Sequence, residues 1–115
     1  MLVYEINKNP KKGENTMLTY VRVRTVKAGK YQGALDFIKK YKAFIQSELG
    51  VDTNFGAEVG RVGTIVSMSQ FDNAQAWEDS MDKLRSNSEY IALTDESFNF
   101  FEDDIMEHLV VGLPV

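Results

Sequence analysis

The sequence predicts an α+β sandwich in which helices cover one face of a four-stranded antiparallel sheet. Three observations lead to this prediction. Segments in which polar and apolar residues alternate, as they do in strands, occur four times in the chain. Segments in which apolar residues recur every three or four positions, as they do in helices, lie between them. Their order is strand, helix, strand, strand, helix, strand, which is typical of the ferredoxin-like βαββαβ fold.

The length of 115 residues suits a single domain with one core. We assign residues 17–115 to this domain and residues 1–16 to an N-terminal arm. Residues 1–6 alternate in character and could form an edge strand, whereas residues 7–16 are polar and contain Pro, Gly and Lys. The arm could pair with the sheet edge of its own subunit or of a partner.

The first strand of the core is predicted over residues 17–26, because its side chains alternate in character. We place its valines on the face that the helices cover, and Tyr20 with Arg22 on the open face. The two alternating sets are Thr19, Val21 and Val23 on one side, and Leu18, Tyr20, Arg22 and Arg24 on the other.

Helix one has the clearest pattern in the chain, since its apolar residues recur at intervals of three and four. Gly50 follows the last of them and is expected to end the helix. The apolar residues are Ala34, Phe37, Ile38, Tyr41, Phe44, Ile45 and Leu49.

Strands two and three are predicted over residues 51–59 and residues 64–70. A short connection containing Gly60 and Gly63 joins them, so the two strands should pair antiparallel. Because this connection leads into a strand and not into a helix, we interpret it as a hairpin rather than a phosphate-binding loop.

Helix two is expected to begin after Asp72, whose side chain would cap the first turn in a capping-box spacing with Gln75. It is predicted to end near residues 86–87, and Ser88 would cap a further helical piece. The last strand is predicted over residues 100–111. The inward-facing residues of the further piece are predicted to be Ile91, Thr94 and Phe98.

Two helices can cover only one face of such a sheet, so the other face needs a partner. The residues assigned to it combine large apolar and polar side chains, which is typical of an interaction surface. We therefore predict a homodimer whose sheets pack face to face around a partly polar cavity. The open face is assigned Leu18, Tyr20, Arg22, Asn54, Glu58, Ile65, Ser67 and Phe71, and the covered face Val21, Val23, Phe55, Val66 and Met68.

The composition argues against several classes of function. Hydrophobic residues make up 43% and charged residues 26% of the chain, which favours a globular protein and no membrane partner. The net charge of −4 provides no basic surface for nucleic acid. There are no cysteines, so disulfides and thiolate chemistry are excluded. Residues 1–7 lack the basic and apolar regions of a signal peptide, so we expect a cytoplasmic location.

Three stretches resemble the dimeric α/β-barrel superfamily, a group of ferredoxin-like proteins that includes antibiotic-biosynthesis monooxygenases, NIPSNAP-like proteins and stress-response barrel proteins. Residues 19–30 (TYVRVRTVKAGK) are similar to the first strand of that group and its glycine turn into helix one. Residues 69–77 (SQFDNAQAW) and 86–90 (SNSEY) are similar to its second-helix region. The resemblance extends over residues 17–111 and implies a homodimer.

The cofactor-independent and haem-degrading monooxygenases of this superfamily depend on an Asn in the first strand, with a Trp and a His near the second helix. This sequence has Trp77 on helix two, but it has Asn87 at the place of the His. The first strand offers Tyr20 and Arg22 instead of Asn. Trp77 also follows the apolar spacing of its helix, so we interpret it as a core residue.

Five residues are candidates for a site between the sheet and the partner subunit. Polar side chains on the open face of different strands would converge there. His108 is the candidate catalytic residue, a general base, because imidazole titrates near neutral pH. The candidate ligand-binding residues are Tyr20, Arg22, Asn54 and Ser67.

Structural roles are the alternatives for these residues. A lone histidine can be hydrogen-bonded on the face of a sheet, and Arg22 or Arg24 can form a salt bridge instead of binding an anion. We predict no metal site, because His108 and Asp104 would lie about 13 Å apart along the last strand, and we predict no cofactor. The acidic residues 102–104 are interpreted as a solvated strand entry or a charged edge that prevents association between sheets.

The sequence therefore predicts a small homodimer that binds a small organic molecule, with enzymatic activity left open. One alternative is a cofactor-independent monooxygenase-like enzyme that acts on an aromatic or polyketide-like substrate. The other is a structural or stress-response dimer without a ligand.

Overall fold

The computed structural model describes residues 17–113 and 115, so the arm predicted at residues 1–16 lies outside the described residues. The described elements follow the predicted order, and the helical piece expected after residue 87 forms a helix of its own. This confirms the ferredoxin-like α+β fold. The elements are β1 (Leu18–Val26), α1 (Tyr31–Leu49), β2 (Thr53–Ala57), β3 (Thr64–Phe71), α2 (Ala74–Arg85), α3 (Ser88–Ser97) and β4 (Phe101–Val111).

The four strands form one antiparallel sheet in the order β2-β3-β1-β4. β1 pairs with β3 on one side and with β4 on the other, and β2 pairs with β3 as predicted. Directly opposed residues lie on the same face of a sheet. Two rows across the strands therefore define its faces: Phe55, Ser67, Arg22 and Glu107 on one, and Asn54, Met68, Val21 and His108 on the other.

The helices cover the face that contains Arg22, so the assignment made for β1 and β3 was wrong. Leu18, Ile65 and Phe71 are at most 7% exposed, whereas Met68 on the other face is 45% exposed. The error arose because alternation divides a strand into two faces without saying which one is covered. Tyr and Arg also bury apolar stems behind a polar tip, so they suit a covered face better than their polarity suggests.

The open face of the sheet is consequently more apolar than predicted. Only the assignment of β2 is confirmed, since Phe55 packs against the core and Asn54 lies on the open face. The apolar residues of the open face are Val21, Val23, Val66, Met68, Met106 and Val110.

The core lies between the sheet and the three helices and has two parts. The larger part joins α1 and α3 to the strands, and the smaller part surrounds Leu18 near α2. Trp77 packs against this smaller part, with the centroid of the Tyr20 ring 5.7 Å from its own in an edge-on contact. This contact supports the interpretation of Trp77 as a core residue. The buried residues of the larger part are Val26, Ala34, Phe37, Phe44, Ile45, Ile65, Leu84, Leu93 and Phe101.

The helix termini agree with the sequence at α1 and differ at α2 and α3. Gly50 ends α1 with a left-handed φ of 67°, as its position predicted. The N-cap of α2 is Asn73, whose side chain accepts a hydrogen bond from the amide of Ala76 at 2.8 Å, and not Asp72. Asn87 caps α3 in the same way, and Ser88 lies inside the helix. Adjacent polar residues compete for one capping position, so the pattern located each helix start to within one residue.

The inward face of α3 is shifted by one residue from the prediction. Ile91 is 51% exposed, whereas Leu93 and Ser97 are buried and Tyr90 packs against the core. Of the predicted residues, Thr94 does face inward and lines a cavity beneath the helices. Both sets have helical spacing, so the spacing alone did not distinguish them.

Among the residues that the structure describes, there is no helix with the length and apolar character needed to cross a membrane.

Candidate functional site

Two adjoining cavities lie between the sheet and the helices, and Arg22 and Tyr41 line both. The first has a volume of about 50 Å³ and the second about 30 Å³. Besides the shared pair, the first is lined by Arg24, Phe37, Ile38, Phe55, Ile65, Ser67, Leu93, Thr94, Ser97 and Phe101. The second is lined by Tyr20, Ile45, Leu49, Thr53, Ser69, Phe71, Met81, Leu84 and Tyr90.

Arg22 stands at the centre of this site because β1 is the inner strand of the sheet and its helix-covered side points at α1. Its side chain is 20% exposed, and its Nε lies 3.4 Å from a carboxylate oxygen of Glu107, the opposed residue of β4. The Nε atom is buried and has no hydrogen-bond partner among the described residues. A buried guanidinium with one partial counter-ion can bind a further polar group.

Burial by itself lowers the pKa of the Arg22 guanidinium, but nearby tyrosine hydroxyls and Glu107 outweigh this effect and raise it. Burial, followed by the like charge of Arg22, lowers the pKa of Arg24. Arginine normally ionises far above neutrality, so both side chains are cationic near pH 7.

Hydroxyl groups of tyrosines surround Arg22. Burial raises the pKa of Tyr41 to about 12; the neighbouring Tyr90 adds to this effect and the Arg22 guanidinium opposes it. Burial also raises the pKa of Tyr20 well above its ordinary range, an effect that the charge of Arg22 opposes and the carboxylate of Glu107 strengthens. Tyr20 and Tyr41 are therefore protonated at neutral pH, and each is a neutral group with one proton to donate.

Arg24 has a structural role at the end of α3. Its Nη1 donates to the Ser97 hydroxyl at 2.9 Å and its Nη2 donates to the Glu102 carbonyl oxygen at 3.3 Å. Its guanidinium also lies 5.1 Å and 4.8 Å from the ring centroids of Phe98 and Phe101. These contacts hold the two terminal nitrogens of the side chain without an anion, which agrees with a structural role for Arg24.

The structure brings together three of the five predicted site residues. Tyr20, Arg22 and Ser67 lie on the helix-covered face and line the cavities, on the opposite side of the sheet from the predicted pocket. Asn54 and His108 lie on the open face. They stand on the two edge strands, so about 14 Å separates them at the usual strand spacing.

The open face has a hollow of its own, with a volume of about 420 Å³, beside Asn54. Its other lining residues are Thr19, Asp52, Met68 and Gln70. A catalytic role for His108 stays a prediction, and a base at this position would serve the open face and not the cavities beneath the helices.

The sequence analysis did not identify Tyr41, Tyr90 and Glu107 as site residues. Tyr41 interrupts the apolar stripe of α1, and a buried tyrosine hydroxyl usually has a polar partner, so this position could have been found. Tyr90 was hidden by the one-residue shift of α3. Glu107 could be placed beside Arg22 only from the pairing register of β1 and β4.

The two positions compared with the monooxygenase pattern have structural contacts here. Asn87 accepts a hydrogen bond from the amide of Tyr90 at 3.0 Å and caps α3. Trp77 packs against the smaller part of the core. Neither residue lines the two cavities beneath the helices.

Several solved structures are similar to this fold. A NIPSNAP family protein from Agrobacterium tumefaciens superposes with a TM-score of 0.74 at 13% identity, and the match covers 95% of each chain. The chain shares the ferredoxin-like α+β fold of this protein. An uncharacterised NIPSNAP domain protein from Burkholderia xenovorans gives a TM-score of 0.72 at 15% identity, over 84% of this chain and 94% of the other. The cofactor-independent oxygenase SnoaB from Streptomyces nogalater gives a TM-score of 0.67 at 12% identity, over 85% of this chain and 94% of the other.

These likenesses show the ferredoxin-like fold and leave the activity to be argued from the site, because one fold carries many functions. No protein-family model matches the sequence. No curated protein matches it either.

Proposed function

We propose that this protein binds a small organic molecule in the cavities beneath its helices, with Arg22 at the polar end of the site. The observation that carries this proposal is the position of the Arg22 side chain, which lines both cavities and has a buried Nε without a hydrogen bond among the described residues. A mostly apolar pocket with a few convergent polar groups is the usual form of a small-molecule site.

The size of the site limits the ligand. A cavity needs roughly 10–15 Å³ for one water molecule, and the first cavity has about 50 Å³. A molecule with a few non-hydrogen atoms fits this space as it stands. A larger ligand would require α3, a helix of 10 residues, to move away from the sheet.

The test is a screen of small fragments by ligand-observed NMR against the natural protein and three variants. Ser67→Leu fills the first cavity from its floor, Gln70→Leu adds a similar side chain on the open face of the same strand, and Asn54→Leu fills the hollow there. We expect fragments to bind the natural protein and Gln70→Leu, and to lose binding to Ser67→Leu.

Two results would contradict the proposal. Fragments that bind Ser67→Leu as well as the natural protein would exclude the cavity as the site. Fragments that bind Ser67→Leu but lose binding to Asn54→Leu or Gln70→Leu would place the site in the hollow of the open face, where the sequence predicted it. Circular dichroism of each variant controls for loss of fold.

We further propose that the protein forms a homodimer through the open face of its sheet. Met68, Met106 and Val110 are 45%, 52% and 54% exposed on this face, which leaves a continuous apolar surface in one chain. A second copy with the same surface is the partner that two-fold symmetry provides most simply. The likeness to dimeric α/β-barrel proteins supports this arrangement.

A further inference from the structure

The walls of the cavities beneath the helices carry an excess of positive charge. Of the described residues that line them, the charged ones are Arg22 and Arg24. The one carboxylate within ion-pair distance of Arg22 belongs to Glu107, among the described residues. The carboxylate of Asp104 acts on Arg24, but neither Glu107 nor Asp104 lines the cavities, so the charge on their walls is positive. A cavity with such a balance favours an anion over a neutral or cationic molecule.

Glu107 is a weak internal counter-ion for Arg22. It stands on the edge strand β4, and its side chain is 36% exposed. It approaches the Nε atom at 3.4 Å without forming a hydrogen bond there, and it does not line either cavity. An ion pair that is partly exposed contributes little free energy, so a ligand with a carboxylate can compete with it.

The first cavity has an apolar part that suits a hydrocarbon group. The Phe55 and Ile65 side chains of the sheet contribute to it together with Ile38 of α1 and Leu93 of α3. Two of its polar residues are neighbours on the sheet, since Ser67 of β3 is opposed to Arg22 of β1. A molecule with a charged head and a short apolar body matches this division.

We propose that the natural ligand is a small monocarboxylate whose carboxylate group pairs with Arg22 in place of Glu107 and whose short apolar body occupies the first cavity. This proposal rests on the proposed function, since it names the class of molecule that the same site binds. The hydroxyls of Tyr20 and Tyr41 near Arg22 stay neutral at neutral pH because burial raises the pKa of both, so they add no negative charge that would repel a carboxylate. A phosphate dianion fits less well, since Arg24 is held by the Ser97 hydroxyl and the Glu102 carbonyl oxygen, which leaves Arg22 to pair with the anion.

The experiment compares butyrate with butyramide, which has nearly the same shape and no charge. Binding is followed by NMR on ¹⁵N-labelled protein, with the Nε–H signal of Arg22 as the local probe. We expect butyrate to shift this signal in a saturable way and to bind about tenfold or more tightly than butyramide, because a charge-assisted hydrogen bond is stronger than a neutral one.

Glu107→Gln separates this proposal from a purely structural role for the ion pair. If Glu107 competes with the ligand, the variant binds butyrate about two- to fivefold more tightly, the range set by a partly exposed ion pair. If Glu107 only supports the fold, the same variant binds more weakly or without change. Arg22→Gln should bind butyrate and butyramide equally well. If Arg22→Gln does not fold, the double variant Arg22→Gln with Glu107→Gln is used in its place.

The matched control is Arg61→Gln, which removes the same charge from an exposed position in the loop between β2 and β3. It should bind butyrate like the natural protein. Equal binding of butyrate and butyramide, butyrate binding that survives Arg22→Gln, or no butyrate binding at all overturns the monocarboxylate proposal. The fragment screen with Ser67→Leu does not depend on the charge of the ligand. It can therefore still support the cavity as the binding site when butyrate does not bind as proposed.

Discussion

Tyr41 is a buried tyrosine whose hydroxyl stays protonated far into the alkaline range, with a pKa raised from 10.0 to about 12. Between these values an unfolded chain releases the proton and the native protein keeps it. The free energy of unfolding is therefore unaffected by Tyr41 below pH 10 and falls as the pH rises to about 12. One unit of pKa corresponds to about 1.4 kcal/mol, so the full loss from Tyr41 is roughly 3 kcal/mol above pH 12, and about 2 kcal/mol of it is reached at pH 11.5.

Urea unfolding at pH 9 and pH 11.5 measures this loss. The fall in unfolding free energy should be smaller in Tyr41→Phe than in the natural protein. Tyr31→Phe is the matched control, because Tyr31 is 49% exposed at the start of α1, and it should keep the full fall. An equal fall in all three proteins would show that Tyr41 ionises as freely in the native state as in the unfolded chain.

Gly33 lies in the first turns of α1, where a side chain would meet the ring of Phe100. A Cβ atom at this position would lie 2.7 Å from Cε1 and 2.8 Å from Cδ1 of that ring. Alanine usually stabilises a helix by roughly 1 kcal/mol relative to glycine. Here overpacking should outweigh this gain, and we expect Gly33→Ala to lose about 1–3 kcal/mol.

Chemical denaturation of three variants tests this expectation. Gly56→Ala is the control, because nothing lies within 4 Å of its Cβ position, and it should change stability little. Combining Gly33→Ala with Phe100→Leu should cost less than the sum of the two single changes, since the smaller side chain relieves the contact. Stabilisation by Gly33→Ala alone would mean that the ring moves aside without cost.

At the scale of elements, α2 depends on a single side-chain cap that the sequence placed one residue too early. The Asn73 side chain accepts a hydrogen bond from the Ala76 amide, one of the amides that the helix itself leaves unpaired. Asn73→Ala should destabilise the protein by about 1 kcal/mol. Asn73→Asp keeps the acceptor and should stay close to the natural protein in thermal unfolding.

The comparison of these two variants identifies the cap as the cause. Equal losses of stability in Asn73→Ala and Asn73→Asp would point to another contact of Asn73. No loss in either would leave Asp72, the residue predicted from the sequence, as the functional cap.

At the scale of the whole molecule, the open face of the sheet should decide the oligomeric state. Val21 lies in its central strand, opposed to Met68 on one side and His108 on the other. Val21→Lys would bury a charge between two sheets, so we expect it to convert the dimer into a monomer. Native mass spectrometry over a dilution series measures the two populations.

Ile91→Lys is the matched control, because it places the same charge at an exposed apolar residue of α3, on the other side of the molecule. It should remain a dimer. A monomeric natural protein would exclude the proposed homodimer. A dimer that persists in Val21→Lys and dissociates in Ile91→Lys would place the interface on the helices.

The sequence by itself determined the elements, their order and the fold class. Local patterns contain this information, since the spacing of apolar residues in α1 and the alternation in β1 depend on neighbours along the chain. It also identified Arg22, Tyr20 and Ser67 as polar residues on one face of adjacent strands. Their grouping was predictable because alternation places residues two apart on the same side.

Only the tertiary structure decided which face the helices cover, and with it where the site lies. Both faces of β1 contain residues that can be buried, valines on one and amphipathic Tyr and Arg on the other, so the strand pattern alone had two solutions. The pairing of Arg22 with Glu107 likewise depends on a register between strands that are far apart in the chain. Contacts of this kind are set by how the whole core packs, and no local pattern of residues records them.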